Sequence, residues 1–159
     1  MEKCGWCNLT EAEKRWLLSD REYWAVYLAD EQDYIGRSII ILKRHCGSLP
    51  ELQMPEWIEF KQIADELERC LKTALGARLC NWSCLMNSFY KKDVPNPHLH
   101  FHVRPRYDKP VVLNGNVYVD AEYGHHYRLS KGVSIPEEDM RELLRLLKSN
   151  LHFSVSAGN

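Results

Sequence analysis

Three of the seven histidines in the chain, His98, His100 and His102, stand at alternate positions in the stretch PNPHLHFHVRPRY from Pro95 to Tyr107. Successive side chains of an extended strand point to opposite faces, so the three imidazoles share one face while Leu99, Phe101 and Val103 share the other. A one-residue slip would bury the imidazoles and expose the apolar set, so the register is firmly set. Imidazoles two residues apart suit two chemistries. They can chelate one ion, as in three-histidine zinc sites, or do acid–base and nucleophilic work on a substrate. Spacing alone leaves the two open.

The flanking residues favour an anionic substrate. Arg104 and Arg106 follow the histidines directly, LKRH supplies Lys43, Arg44 and His45, and NSFYKKD supplies Lys91 and Lys92. Fixed cationic donors of this kind suit phosphate better than a bare metal. A separate signal lies at the amino terminus, where Cys4-Gly5-Trp6-Cys7 has the spacing that lets two thiolates hold one tetrahedral ion. Cys70, Cys80 and Cys84 lie in apolar contexts and read as small buried hydrophobes.

These residues need a scaffold. At 159 residues and 18.7 kDa, with 45% apolar and 27% charged residues, the chain reads as one globular domain over 1–159. A net charge of −1 and a pI near 6.6 give no overall basic field, so non-specific nucleic-acid binding is not expected. No signal-peptide pattern opens the sequence, and no run reaches the roughly 18 apolar residues of a membrane helix. The expectation is a cytoplasmic protein whose cysteines are thiols or metal ligands.

Apolar residues Trp57, Phe60, Ala64, Leu67, Leu71 and Ala74 step by three and four between Pro55 and Gly76, which predicts an amphipathic helix. A second helix is predicted from Pro136 to Leu151, with Ser134 and Glu137 at capping-box spacing and a stripe of Met140, Leu143, Leu144, Leu147 and Leu151. Strands are predicted at EYWAVYLA, RSIIILK, RLCNWSCLM, the histidine stretch and PVVLNGNVYV, where Asn114-Gly115 marks a hairpin turn. Short turns favour antiparallel pairing with the long helix as the one crossover, so the fold class is α+β.

On these residues a resemblance can be named. HLHFHVRPR resembles the histidine triad motif, and its Arg-Pro-Arg ending is similar to the Fhit-like dinucleoside polyphosphate hydrolases. YLADEQDYIGRSIIILKRH resembles the family's strand–turn–strand segment, and the likeness extends over roughly residues 22–107. It implies a histidine triad fold with an antiparallel sheet of about five strands, a long crossover helix and a C-terminal helix. Residues 1–20 form a zinc-clamped segment and 108–159 a hairpin and helix.

The resemblance also implies roles. His100 attacks the α-phosphate of a nucleotide, His102 assists at the phosphate, and His98 orients the strand or serves a metal. Asp30 holds the ribose, Asn87 stands near the phosphates, Tyr27 and Leu28 line the base pocket, and Arg106 contributes to nucleotide binding. Histidine rather than glutamine at position 102 points to hydrolysis over uridylyl transfer. The product would be a hydrolase of a phosphoanhydride or phosphoramidate, working as a homodimer. Bacterial members that carry a cysteine pair imply a structural zinc on Cys4, Cys7, His45 and His98. A metal-dependent enzyme using the His98–His100–His102 face is one alternative, and two departures from the family pattern motivate another, a weakly active nucleotide-binding or sensing protein. Arg37 follows Gly36 where the family usually has a fourth histidine, and Pro95 and Pro97 occupy the loop where the family usually carries a hydroxyl.

Overall fold

The computed structural model describes residues 4–127 and 132–153. Five strands, β1 (Leu17–Asp20), β2 (Trp24–Leu28), β3 (Ser38–Leu42), β4 (Leu79–Ser83) and β5 (His100–Arg106), form one antiparallel sheet in the order β1-β2-β3-β5-β4. Helix α1 (Met54–Leu75) is the crossover that carries the chain from β3 to β4 at the sheet's edge. A separate hairpin, β6 (Val111–Leu113) and β7 (Asn116–Tyr118), precedes α2 (Glu137–Asn150). The class is α+β.

Alternation sorts the sheet into two faces. Trp24, Val26, Ile40, Leu42, Leu99, Phe101 and Val103 point to the helices and join Ile63, Leu67, Leu71, Leu143 and Leu147 in the main core. Ala25, Tyr27 and Ile41 form a smaller cluster on the other face, where Trp6 and Leu9 of the amino-terminal segment cover them. Core burial worth roughly 1.5–3 kcal/mol per large side chain fixes the register that keeps the histidines off the helix side.

Several expectations need correction. The buried stripe of α1 runs through Glu59, Ile63, Leu67 and Cys70, so Trp57 stands on the helix edge and is 36% exposed. Glu59 is buried because its carboxylate accepts the backbone N–H groups of Glu22, Tyr23 and Trp24, which pins α1 to the start of β2. The capping box lies at Gln53 and Glu56 of α1. None forms at Ser134 and Glu137; Pro136 is the cap of α2, and Glu137 pairs with Arg141 instead. The strand Leu17–Asp20 was not expected at all. Asn114 and Gly115 do make the two-residue turn of the hairpin, with positive φ at both, 47° and 85°.

Candidate functional site

The histidine stretch enters the sheet only at His100. His98 precedes the ladder, and Leu99 bonds the backbone of Cys46 and Leu42 instead. The three histidines therefore do not converge on one point. His98 is wholly buried, its Nε2 lies 2.6 Å from the Leu42 carbonyl oxygen, and its Nδ1 lies 3.3 Å from Cys4 Sγ and 3.4 Å from Cys7 Sγ. A carbonyl only accepts, so Nε2 carries the proton and Nδ1 presents a lone pair to the sulfurs.

His45 Nδ1 approaches Cys7 Sγ at 3.5 Å, and the ligand atoms of Cys4, Cys7, His45 and His98 all lie within 4.8 Å of one another. Ligand atoms around a tetrahedral zinc with bonds of about 2.0–2.3 Å stand roughly 3.3–3.8 Å apart. The set fits such an ion in donor type, number and spacing, and the His98 bond to a carbonyl is the usual outer support for a metal-binding imidazole. Desolvation and the neighbouring Cys4 sulfur raise the Cys7 thiol to about 11, a cost that a bound cation reverses.

His100 and His102 lie on the face away from the helices. The His100 Nδ1 is 2.9 Å from the His98 carbonyl oxygen, so in the neutral ring Nδ1 holds the proton and Nε2 is bare. His102 Nε2 stands 3.2 Å from His100 Nε2 and donates to it. Burial lowers the His100 pKa, partly opposed by the His98 carbonyl, and the ring is neutral at physiological pH. Burial, then His100, Arg104 and Arg37, hold His102 down to about 3.

Two aromatic contacts were not foreseen. Trp6 stacks on His100 with centroids 4.8 Å apart and planes 14° from parallel, and Phe89 meets the same ring edge-on at 5.9 Å. The only sequence signal for Trp6 was its position between Cys4 and Cys7. A groove of about 260 Å3 runs beside it, lined by Trp6, Leu9, Tyr27, Asp30, Ile39 and Ile41.

The structure brings the other expected residues to different places. Tyr27 faces the groove, whereas the Leu28 side chain packs in the main core and reaches only the groove's rim. Asp30 stands at the groove's end, where its Oδ1 accepts Arg15 Nη2 at 2.5 Å and Trp16 Nε1 at 3.1 Å. Asn87 opens a short 3-10 turn, Asn87–Lys91, two residues from Phe89, and is exposed. Arg106 does not offer itself to a nucleotide. It is buried, and its donors go to both oxygens of Asp120 and to the carbonyls of Glu122 and His125.

Comparison with known proteins agrees with this fold. No protein-family model matches the sequence, and no curated protein matches it. Among solved structures, a hypothetical histidine triad nucleotide-binding protein from Sulfolobus tokodaii is 17% identical with a TM-score of 0.65, over 93% of this chain and 91% of that one. A Zn-bound histidine triad family protein from Mycobacterium smegmatis is 19% identical with a TM-score of 0.59, over 92% and 94%. A uridylyltransferase matches at 18% identity and a TM-score of 0.65, over 93% of this chain but 45% of that one.

Proposed function

This chain has the histidine triad fold, and we propose that it hydrolyses a nucleotide at its α-phosphate through a nucleotidyl-histidine formed on His100. One observation carries the reading. The bond from His100 Nδ1–H to the His98 carbonyl leaves the Nε2 lone pair on the far side of the ring, toward His102, in a ring that burial keeps neutral. The same carbonyl receives the growing positive charge at Nδ1–H when Nε2 bonds phosphorus. The names of the similar structures, a nucleotide-binding histidine triad protein and a uridylyltransferase among them, support a nucleotide substrate.

The chemistry has two displacements. Nε2 attacks the α-phosphorus, the bond from phosphorus to the leaving group breaks, and the leaving group departs with the electron pair. His102 Nε2–H turns from Nε2 of His100 to a phosphoryl oxygen and stabilises its charge. Water then attacks the same phosphorus, the P–N bond breaks with its electrons returning to Nε2, and one proton of the water passes to solvent. The groove beside Trp6 and Tyr27 receives the nucleoside, with the free Oδ2 of Asp30 toward the ribose.

Cys4, Cys7, His45 and His98 would hold zinc, which supplies charge neutralisation and a cross-link to the amino terminus. Four protein ligands leave no open position, so its role is structural. The alternative of a metal shared by all three motif histidines is disfavoured, because the His98 ring is engaged by Leu42 on one side and faces the cysteines on the other. Nucleotidyl transfer to an acceptor other than water is the second reading, supported by the uridylyltransferase likeness.

The test is direct. Mass spectrometry of protein quenched during turnover is expected to find a nucleoside monophosphoryl adduct on His100, and His100→Ala is expected to lower hydrolysis by about 10³-fold or more. Unchanged hydrolysis by that variant would sink the proposal.

A further inference from the structure

The strongest feature outside the nucleophile is a set of buried donors without acceptors. Strand register places them together. In the ladders flanking β5, His102 stands between Ile39 and Ser83, and Arg104 stands opposite Asn81, with Arg37 at the next register position beyond the Ser38–Val103 pair. Cross-strand neighbours on one face are about 5 Å apart, so Arg37, Arg104, His102 and Ser83 share one patch beside His100.

Within that patch, Arg37 Nε, Arg104 Nε and Nη1 and Ser83 Oγ are buried without a hydrogen-bond partner among the described residues. Arg104 is 3% exposed. The carboxylates available do not satisfy the two guanidinium groups. Asp33 bonds Arg37 Nη1 at 2.9 Å and lies 3.6 Å from Arg104 Nε, while Glu31, at 3.3 Å from Arg37 Nη1, is more than half exposed. The Tyr127 ring covers one side of the Arg104 guanidinium at 4.6 Å and accepts none of its in-plane N–H bonds. The buried Arg104 and the largely buried Arg37 thus share the Asp33 carboxylate, with the half-exposed Glu31 reaching only Arg37. Native interiors rarely leave such donors orphaned, because each costs about 1–3 kcal/mol, so the arrangement points to an absent anion.

We propose that Arg37, Arg104 and Ser83 form a second anion subsite, next to the position of the α-phosphate, that holds a phosphate group of the departing chain. The assignment rests on His100 as the reacting group, since that fixes which side of the α-phosphate the patch faces. Its chemistry selects among leaving groups. When the phosphoanhydride bond breaks, the electron pair goes to an oxygen of the departing phosphate, which leaves as an anion and needs no proton. Guanidinium groups stabilise that charge but do not give up protons, whereas an amine leaving group has to be protonated. The patch therefore favours phosphoanhydrides over phosphoramidates. Arg37, which stands where the family usually has histidine, is then a specificity residue in this chain.

Calorimetric titration of the full chain with inorganic phosphate and inorganic pyrophosphate tests the subsite without a nucleobase. Pyrophosphate spans both positions and is expected to bind at least about tenfold more tightly than phosphate, as hydrogen bonds to charged groups warrant. In Arg37→Gln that ratio is expected to fall to about two or less, and in Ser83→Ala to fall about threefold. Thermal melting verifies that each variant is folded; should Arg37→Gln not fold, Arg37→Lys, which keeps the charge beside Asp33 but lacks the planar fork, is expected to lose at least about threefold of the ratio. Wild-type protein that does not bind pyrophosphate, that binds both anions equally, or whose ratio survives in the folded variants would overturn the subsite. Turnover retained by His100→Ala sinks the nucleophile instead, whatever the binding ratio.

Discussion

The Trp6 indole lies on the His100 imidazole, 4.8 Å between centroids and 14° from parallel, and Trp6 belongs to the short turn Gly5–Cys7 beside the two cysteines of the Cys4–Cys7–His45–His98 cluster. The residue that stacks on the candidate nucleophile is therefore the chain neighbour of Cys7, a candidate metal ligand. Stacking restricts the imidazole to the plane in which Nδ1–H meets the His98 carbonyl. Trp6→Ala is expected to lower kcat/KM by about 3–10-fold, the value of an aromatic pair, while leaving the bound zinc in place. Steady-state kinetics together with metal analysis check this. A Trp6→Phe protein should recover most of the loss.

Metal removal should act on the same ring from the other side. Cys4→Ser is expected to abolish stoichiometric zinc, lower the unfolding midpoint and change the Trp6 emission, because the segment over Ala25, Tyr27 and Ile41 loses its anchor. His102→Ala should retain the zinc. Zinc that persists in Cys4→Ser and disappears in His102→Ala would place the ion on the motif face instead.

Much of this arrangement was legible in the sequence, for stated physical reasons. Period-two alternation is set by the strand itself, so the face of His100 and His102 followed from spacing, and the turn at Asn114-Gly115 followed from the φ those residues tolerate. Contacts between segments distant in the chain were not legible from the residues themselves, and the set Cys4, Cys7, His45 and His98 came only through the family resemblance. Nothing local marks Trp6 for His100, 94 residues away, or Asp33 for Arg104. Arg106 illustrates the limit. Its type suits phosphate, yet Asp120, in a segment with no motif, takes its donors. Leu17–Asp20 escaped notice because four residues at a sheet edge, with an irregular register between Leu17 and Ser19, carry too little alternation.

The low affinity of His102 for a proton has a consequence for stability. Burial, then His100, Arg104 and Arg37, lower it from 6.5 to about 3 in the folded chain. Between those values the unfolded chain binds a proton that the folded chain excludes, so stability falls as pH drops below about 6.5 and keeps falling toward about 3. His102→Gln removes the titrating ring. Its unfolding midpoint is expected to decline less than that of the wild type between about pH 7 and about pH 5, measured by thermal melting across that range. An identical acid-side decline in both proteins would show that the ring is not held neutral.

The last prediction concerns the carboxyl-terminal hairpin, which the sheet does not hold directly. Asp139, in the first turn of α2, is wholly buried, and its carboxylate accepts Asn114 Nδ2 and Asn116 Nδ2 at 2.8 Å each and the Tyr118 hydroxyl. One side chain thus gathers the hairpin's turn and its second strand, β7, onto the helix amino terminus, where negative charge is also favoured by the helix dipole. Asp139→Ala removes three hydrogen bonds to one buried carboxylate; Asn114 and Asn116 are exposed and Tyr118 is half-buried, so water can take up the freed donors and the loss is that of bonds to a charged group, about 1–3 kcal/mol in all. The unfolding midpoint is expected to fall by roughly 2–12 °C at a domain size of this order. Asp139→Asn keeps one acceptor oxygen and should recover part of that shift. Hydrolysis at temperatures below the transition should be little changed in either variant, because the hairpin contacts neither His100 nor the groove beside Trp6.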